Sequence, residues 1–196
     1  MEILLFAAGT FVLGSIPFGR ILGFLVAHTD VKERGSGNIG ATNVAREIGL
    51  RWGLLTLGLD IAKGAGPVVA AGALMGSTPY VQEMSGLAAV AGHQFSVFLR
   101  FRGGKGVATA LGAFSVLEPF GCLCVVIVFV AVAGVSSFVS LGSIVASASL
   151  PFCLALLGAP PARTIAAAAV GLLIIWRHKE NIQRLLKGEE SRVRKK

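Results

Sequence analysis

Charged residues are scarce in this chain, and their scarcity excludes most soluble folds. Only 14% of its 196 residues are Asp, Glu, Lys or Arg, whereas 54% are hydrophobic and the mean hydropathy is +0.77. The two longest stretches that are not apolar, residues 28–52 and 177–196, are each too short to bury a core of their own. We therefore predict one transmembrane domain, residues 1–196, without a soluble domain beside it.

Cysteine is equally rare, and its spacing is not that of a metal site. The three cysteines, Cys122, Cys124 and Cys153, lie in apolar runs without a C-x-x-C pair or a paired histidine. We interpret them as small buried hydrophobic residues and expect neither a metal nor a cofactor. The first residues lack the basic start of a signal peptide, so we expect the first apolar segment to stay on the protein.

One nucleotide-binding motif and one nucleophile motif are missing as well, and a second nucleotide-binding motif occurs in the wrong context. The chain has no Gly-Lys-Ser/Thr of a phosphate-binding loop and no Gly-x-Ser-x-Gly elbow. Residues Gly35 to Gly40 match Gly-x-Gly-x-x-Gly, but a polar segment precedes them where a dinucleotide fold needs a hydrophobic strand. We therefore set aside nucleotide binding by either motif.

Apolar runs divide the chain into seven candidate membrane spans. They are Ile3–Ala27, Gly53–Met75, Tyr80–Leu99, Gly106–Leu117, Pro119–Ser136, Val139–Gly158 and Pro161–Trp176. The fourth is the shortest, because a helix of its length covers only about 18 Å against a hydrocarbon core of about 30 Å. It could therefore enter the membrane without crossing it.

Basic residues decide between crossing and re-entry. If all seven segments cross, 15 of the 18 Lys and Arg residues share one side of the membrane, and the opposite loops carry only Arg163. A fourth segment that failed to cross would place the basic C-terminal tail on the other side, against the positive-inside rule. We predict an all-α protein with seven transmembrane helices, the N-terminus outside and the C-terminus in the cytoplasm. The formal charge of +8 then reflects topology and anionic lipid headgroups, and we expect no nucleic-acid partner.

A polar, glycine-dense segment, Arg34–Arg46, follows the first span. Its glycines let successive N–H groups point into one concavity, and short polar side chains add donors around it. The arginines at its two ends can clamp a phosphate or a carboxylate. A flexible turn between helices is the alternative. We predict an anion site formed by Ser36, Gly37, Asn38, Thr42, Asn43 and Arg46.

A second glycine-rich segment, Gly92–Thr109, has Gly-Gly-Lys-Gly at its centre and opens the fourth predicted span. A helix N-terminus offers free N–H groups and a partial positive charge, which Lys105 supplements. A basic loop placed for topology alone is the alternative, although it does not account for three glycines around one lysine. We predict a second anion site formed by His93, Gly103, Gly104, Lys105 and Gly106.

A third polar stretch, Trp176–Glu190, follows the last span. His178 and Asn181 lie three residues apart and share one face of a helix there. An interfacial amphipathic tail explains the same stretch without any chemistry. Ser143, near the start of the sixth span, either caps that helix or reaches into a site.

Asp60 and Lys63 place opposite charges three residues apart inside the second span. Charges at this spacing face each other on a helix, and an ion pair lowers the cost of keeping them in lipid. A proton relay or a substrate contact is the functional alternative.

Three motifs in the polar segments resemble the bacterial acyl-phosphate:glycerol-3-phosphate acyltransferase family. They are G-S-G-N-x-G-A-T-N, G-H-x5-L-x-F-x-G-G-K-G-V-A-T and H-x2-N-I-x-R-L-x2-G-x-E, in this order, and the resemblance extends from Phe18 to about Glu189. It implies a multi-pass enzyme of the bacterial inner membrane that acts at the cytoplasmic face. Such an enzyme transfers a fatty acyl group from acyl phosphate to glycerol 3-phosphate, giving lysophosphatidic acid and phosphate. Membrane lipid is a further expected partner, and a stable contact with the soluble enzyme that makes acyl phosphate stays open.

The chemistry of acyl phosphate explains why the enzyme would need no nucleophile of its own. This donor is a mixed anhydride with a good leaving group, so the enzyme need not form an acyl intermediate. The fifth residue after His93 is Phe98, so the His-x4-Asp dyad of acyltransferases with soluble donors is also absent. We expect direct attack by the glycerol hydroxyl.

The expected catalytic residues have two roles, holding the phosphate charge and orienting the substrates. Arg46 and Lys105 hold phosphate charge, while Ser36, Thr42 and Asn181 orient the substrates. The hydroxyl proton passes either to His178 or to the donor phosphate, and the sequence leaves both routes open.

Two other classes of function, a transporter and a noncatalytic membrane subunit, explain less of the sequence. A transporter for a small organic anion would show an inverted repeat and polar groups at mid-membrane, whereas polar groups here cluster at one predicted face. A noncatalytic membrane subunit would leave the two glycine-rich segments unexplained.

Overall fold

The computed structural model describes residues 1–76, 78 and 80–192, and all regular structure within them is helical. The α-helices are α1 (Glu2–Gly14), α2 (Phe18–Ala27), α3 (Ala41–Ile48), α4 (Leu50–Met75), α5 (Val81–Gln94), α6 (Val107–Leu117), α7 (Pro119–Ser136), α8 (Val139–Leu156), α9 (Pro161–Arg177) and α10 (Lys179–Lys187), and a 3-10 turn spans Val97–Leu99. They group into two compact units, Met1–Val116 and a second unit that begins at Leu117. The all-α class is confirmed, whereas the single domain stays a prediction.

Four apolar segments of the described residues are long enough to cross a membrane: Glu2–Ala27, Leu50–Met75, Pro119–Ser136 and Val139–Leu156. The fifth predicted span matches α7 at both ends, and the other three long spans agree within three residues at each end. The predicted fourth span is the short apolar helix α6. The seven-span count and the orientation stay predictions. Three of the 15 basic residues in the predicted topology, those at 194–196, lie outside the described residues.

The first predicted span, Ile3–Ala27, is broken rather than continuous. α1 ends and α2 begins on either side of residues 15–17, because Pro17 has no N–H to continue the helical hydrogen bonds. The break leaves the carbonyls of Ser15 and Ile16 without helical partners. Lipid offers no hydrogen-bond donor, so these carbonyls need partners inside the protein.

Those two carbonyls are bonded from other parts of the first unit. Ser96 Oγ, just beyond α5, donates to the Ser15 carbonyl at 2.5 Å, and Lys63 Nζ on α4 donates to the Ile16 carbonyl at 2.7 Å. Lys63 Nζ also lies 2.8 Å from Asp60 Oδ1, and both side chains are buried. The interpretation of Asp60 and Lys63 as an ion pair is confirmed, and the structure adds the lysine's contact with the break.

Small residues let helices of the first unit approach closely. Gly14 on α1 packs against the backbone of Ala89 on α5, and Gly92 on α5 packs against the carbonyl of Phe11 on α1. A side chain at either glycine would collide with main chain, which cannot move aside. Close backbone approach of this kind is typical of helices packed in membranes.

The second unit is built from α7, α8 and α9, with α10 packed against α8 and α9. Gly142 on α8 lies close to Phe129 on α7, and Gly171 on α9 lies close to the carbonyl of Ser147 on α8. All three cysteines lie in this unit as free thiols. The first of them is buried as predicted, whereas the other two are only half-buried.

Candidate active site

The first glycine loop, residues 28–40, connects α2 to α3 and is closed by one side chain. Asn43 on α3 is 2% exposed, and its Nδ2 donates to the carbonyls of Val31 and Asn38, both at 2.9 Å, and of Arg34 at 3.2 Å. Its Oδ1 accepts the N–H of Ser36 at 2.9 Å. Asn43, which the sequence predicted as a substrate contact, thus holds the loop in shape.

Most of the other predicted anion-binding groups of this loop are accessible. Ser36, Gly37, Thr42 and Arg46 are exposed, and Asn38 is half-buried. Thr42 and Arg46 lie about one turn apart on α3 and share a face, so a hydroxyl and a guanidinium are available to one anion. Gly37 has a φ of +67°, which a residue with a side chain rarely adopts.

An ion pair anchors the start of the loop. Arg20 on α2 donates from Nε and Nη2 to Asp30 Oδ2 at 2.9 and 2.7 Å, and Asp30 Oδ1 accepts the N–H of Lys32 at 3.0 Å. Burial alone would raise the pKa of Asp30, but these hydrogen bonds and the charges of Arg20 and Lys32 outweigh it and lower the pKa. The carboxylate therefore stays ionised at neutral pH and fixes the loop to α2.

A buried apolar cluster lies beneath the loop. It consists of Val31, Ile39, Val44 and Leu99, with Ile48 and Trp52 packed against it. Leu99 belongs to the 3-10 turn that leads into the second glycine loop, residues 100–106. The two glycine loops therefore share one buried support.

The second glycine loop is bonded to the end of α5. The N–H groups of Gly103 and Gly104 donate to the carbonyls of Gln94 and His93, both at 3.0 Å, and Gln94 Nε2 donates to the carbonyl of Lys105 at 2.8 Å. The loop thus satisfies carbonyls that end the helix. This explains why α5 stops five residues before the end of the predicted third span.

His93 lies on the buried side of the second loop. It is 4% exposed, and its ring packs so closely against Gly104 that a Cβ there would collide with the imidazole. Its Nδ1 lies 3.7 Å from Asp60 Oδ1. Lys105 is half-buried, and Gly106 has a φ of +85°. His93, predicted as a substrate contact, therefore supports the glycines that present Lys105.

In the second unit, Glu190 gathers three side chains around one carboxylate. Ser140 Oγ and Asn181 Nδ2 donate to its Oε1, each at 2.6 Å, and Arg184 Nε donates to its Oε2 at 2.8 Å. Burial alone would raise the pKa of Glu190, but these bonds and the charge of Arg184 lower it below the ordinary value of 4.5. Glu190 was not among the predicted site residues, and its only signal was the glutamate that closes the third motif.

His178 occupies the junction of α9 and α10. It is 2% exposed, and its Nδ1 lies 2.8 Å from the carbonyl of Ile174. A carbonyl only accepts, so in the neutral ring Nδ1 carries the hydrogen and Nε2 carries the lone pair. Ser143 Oγ donates to the carbonyl of Val139 in its own helix at 2.9 Å. Of the two alternatives for Ser143, capping of α8 is wrong, since the helix begins after Phe138, and its role as a substrate contact stays a prediction.

Removing the charge of Glu190 tests its role in this cluster. We expect Glu190→Gln to lower the free energy of unfolding by about 1–3 kcal/mol near neutral pH, because a neutral amide loses the charge-assisted bond from Arg184. The same change at the exposed neighbour, Glu189→Gln, should have no measurable effect. Thermal unfolding midpoints of both variants in detergent measure the difference.

The pH dependence of that difference follows from the lowered pKa of Glu190. A group whose folded-state pKa is depressed stabilises the protein fully above its unfolded value, near 4.5, and loses this effect as the pH falls through the folded-state pKa. The gap between wild type and Glu190→Gln should therefore be constant around neutral pH and close only in acid. Equal midpoints near neutral pH would contradict the assigned role.

Known proteins match nearly the whole chain. The model of a family described as glycerol-3-phosphate acyltransferase matches residues 4–188. The glycerol-3-phosphate acyltransferase of Trichlorobacter lovleyi is 46% identical over 191 residues, which cover 97% of each chain. The enzyme of the same description from Geobacter sulfurreducens is 40% identical over 191 residues, again 97% of each chain.

Two solved structures are similar along the same length. Both are of PlsY, described as an integral membrane glycerol 3-phosphate acyltransferase. The glycerol 3-phosphate form is 40% identical, with a TM-score of 0.94 over 99% of this chain and 96% of that one. The lysophosphatidic acid form is also 40% identical, with a TM-score of 0.90 over 98% and 95%. The fold is thus that of an integral membrane protein.

Proposed function

Because the chain belongs to the glycerol-3-phosphate acyltransferase family, we propose that it transfers a fatty acyl group from acyl phosphate to the 1-hydroxyl of glycerol 3-phosphate. The products are lysophosphatidic acid and inorganic phosphate, and the reaction is the first acylation of phospholipid synthesis. The observation that carries the proposal is the pair of glycine loops on one buried cluster, with the cations of Arg46 and Lys105 beside them. Two substrates that each bear a phosphate require two such anion sites.

The proposed reaction is a direct transfer. The glycerol hydroxyl oxygen bonds to the acyl carbon, the bond from that carbon to the phosphate oxygen breaks, and phosphate departs. Arg46 and Lys105 balance the phosphate charge, which is stabilised most where water is excluded. Ser36 and Thr42, both exposed at the first glycine loop, orient the bound groups.

His178 and Asn181 are the proposed contributors from the second unit. The hydrogen bond to Ile174 leaves the lone pair of the neutral His178 ring on Nε2, where it can accept a proton or a hydrogen bond from a hydroxyl. Asn181 is held by Glu190, which supports an orienting role. The hydroxyl proton passes to Nε2 or directly to the departing phosphate.

The proposed setting is the bacterial inner membrane, with seven spans, the N-terminus outside and the site at the cytoplasmic face. The distribution of Lys and Arg supports it, because 15 of 18 share one side in this topology. Both glycine loops then face the compartment from which a soluble enzyme would supply acyl phosphate.

Purified protein in detergent tests the donor. We expect palmitoyl phosphate and glycerol 3-phosphate to yield lysophosphatidic acid and phosphate, with kcat/KM at least about 100-fold lower for palmitoyl-CoA. The reason is size, because the glycine loops of the first unit, residues 28–40 and 100–106, are short and offer small anion sites rather than a surface for a nucleotide. Phosphate release and product mass spectrometry measure the transfer.

Two controls separate this reaction from its alternatives. Omitting glycerol 3-phosphate distinguishes transfer from hydrolysis, and inorganic phosphate should inhibit competitively against either substrate. Turnover in detergent, where no barrier divides two compartments, rejects transport as the explanation. A comparable kcat/KM with palmitoyl-CoA would overturn the donor assignment.

A further inference from the structure

One side-chain hydrogen bond connects the two glycine loops. Lys32 Nζ donates to the backbone carbonyl of Arg102 at 3.0 Å, although 70 residues separate the two in sequence. Lys32 belongs to the first loop and Arg102 to the second. Because the acceptor is main chain, the bond acts on the path of the second loop whatever side chain Arg102 carries.

The lysine extends from a fixed stretch of backbone. Its own N–H is bonded to Asp30 Oδ1, and Arg20 holds that carboxylate with two further hydrogen bonds. The preceding residue, Val31, is fully buried in the shared apolar cluster. A long side chain loses less entropy on forming a bond when its backbone is already immobilised.

The acceptor side is equally constrained. The N–H of Arg102 donates to the carbonyl of Leu99 at 3.0 Å, and Leu99 packs in the same cluster as Val31. The next residue, Gly103, is bonded to Gln94 and leads within two residues to Lys105. A shift of the Arg102 carbonyl therefore moves the backbone that presents Lys105.

We infer that Lys32 is a positioning residue that fixes the separation of the two glycine loops, and with it the separation of the two phosphate sites. The inference rests on the proposed function, because a transfer between two bound substrates depends on the distance between their sites. Misplacement of reacting groups by a fraction of a bond length lowers the rate without weakening either binding step.

Kinetics of two substitutions distinguish positioning from phosphate binding. We expect Lys32→Met to lower kcat by about tenfold and to leave KM for each substrate within about twofold, since both anion sites persist. Lys32→Arg, which keeps a charged donor, should restore most of kcat. Lys187→Met makes the same chemical change at an exposed lysine at the end of α10 and should keep the wild-type rate. A raised KM with unchanged kcat in Lys32→Met would overturn the inference.

Amide hydrogen exchange tests the same bond without any turnover. In Lys32→Met we expect exchange across residues 102–106 to be several-fold faster than in wild type, with the rest of the chain unchanged, and Lys32→Arg to reverse the effect. Unchanged exchange in Lys32→Met would reject the inference whether or not the protein is active. Absence of turnover in the wild type would instead reject the proposed function.

Discussion

Lys105→Ala is expected to lower kcat/KM about 30- to 1000-fold while the protein stays folded, because it removes a cation that faces phosphate charge in the proposed transfer. Loss of one such contact typically costs about 2–4 kcal/mol of transition-state stabilisation. The hydrogen bond from Gln94 goes to the backbone carbonyl of Lys105, so the alanine variant can keep that contact of the loop. Arg46→Ala should lose a similar factor, because its exposed guanidinium shares a face of α3 with Thr42 beside the first glycine loop.

A matched arginine provides the control for that loss. Arg51 is also exposed, and its guanidinium stacks on Trp52 at the start of α4. Arg51→Ala should retain a nearly normal rate in the same phosphate-release assay. Thermal unfolding midpoints close to that of wild type would show that Lys105→Ala and Arg46→Ala are folded. A folded Lys105→Ala protein with near-normal kcat/KM would contradict the assignment of Lys105 to a phosphate site.

The second large effect concerns stability and the buried pair of Asp60 and Lys63. Removing one partner leaves the other charge buried without compensation, so we expect Asp60→Ala to lower the free energy of unfolding by about 3–5 kcal/mol. Lys63→Met should also destabilise the protein, because Asp60 loses its buried partner and the carbonyl of Ile16 keeps only the 3.2 Å bond from the N–H of Phe18. Thermal unfolding in detergent measures both.

A double substitution shows whether the two charges act as a pair. The loss in Asp60→Ala with Lys63→Met should be clearly smaller than the sum of the single losses, since the uncompensated charge disappears. Gly58→Ala in the same helix is the control, because a methyl group there meets nothing within 4 Å. Additive losses would show that the pair contributes nothing beyond packing.

Local signals in the sequence were sufficient for α7 but not for the first span. Proline opens α7 at Pro119, and the polar pair at Ser136 marks its other end, so both ends could be predicted. In the first span, Pro17 was visible, but the partners that make a break stable in lipid lie 47 and 81 residues away along the chain. An apolar average over the segment contains no information about such partners.

The candidate site shows the same limit at the level of single residues. Glycine density, basic residues and short donors located both loops, because these properties belong to the segment itself. Whether a donor faces a ligand or closes its own loop depends on burial, which the local sequence does not show. The sequence therefore did not predict that Asn43 is buried and bonded to the loop, and its contact with substrate stays a prediction. Glu190 bonds Ser140 across 50 residues and Lys32 bonds the Arg102 carbonyl across 70, and spacing within a segment does not reveal contacts of that range.

The break at residues 15–17 also constrains the order in which the protein can be assembled. A ribosome delivers the N-terminal segment to the membrane first, before Lys63 and Ser96 have been synthesised. Until both arrive, the carbonyl of Ser15 lacks the hydroxyl that bonds it in the folded protein, and the carbonyl of Ile16 has only the N–H of Phe18. The contacts that stabilise the break are therefore complete only after the chain has been made through Ser96, and a polypeptide truncated before that residue would lack the hydroxyl that bonds the Ser15 carbonyl.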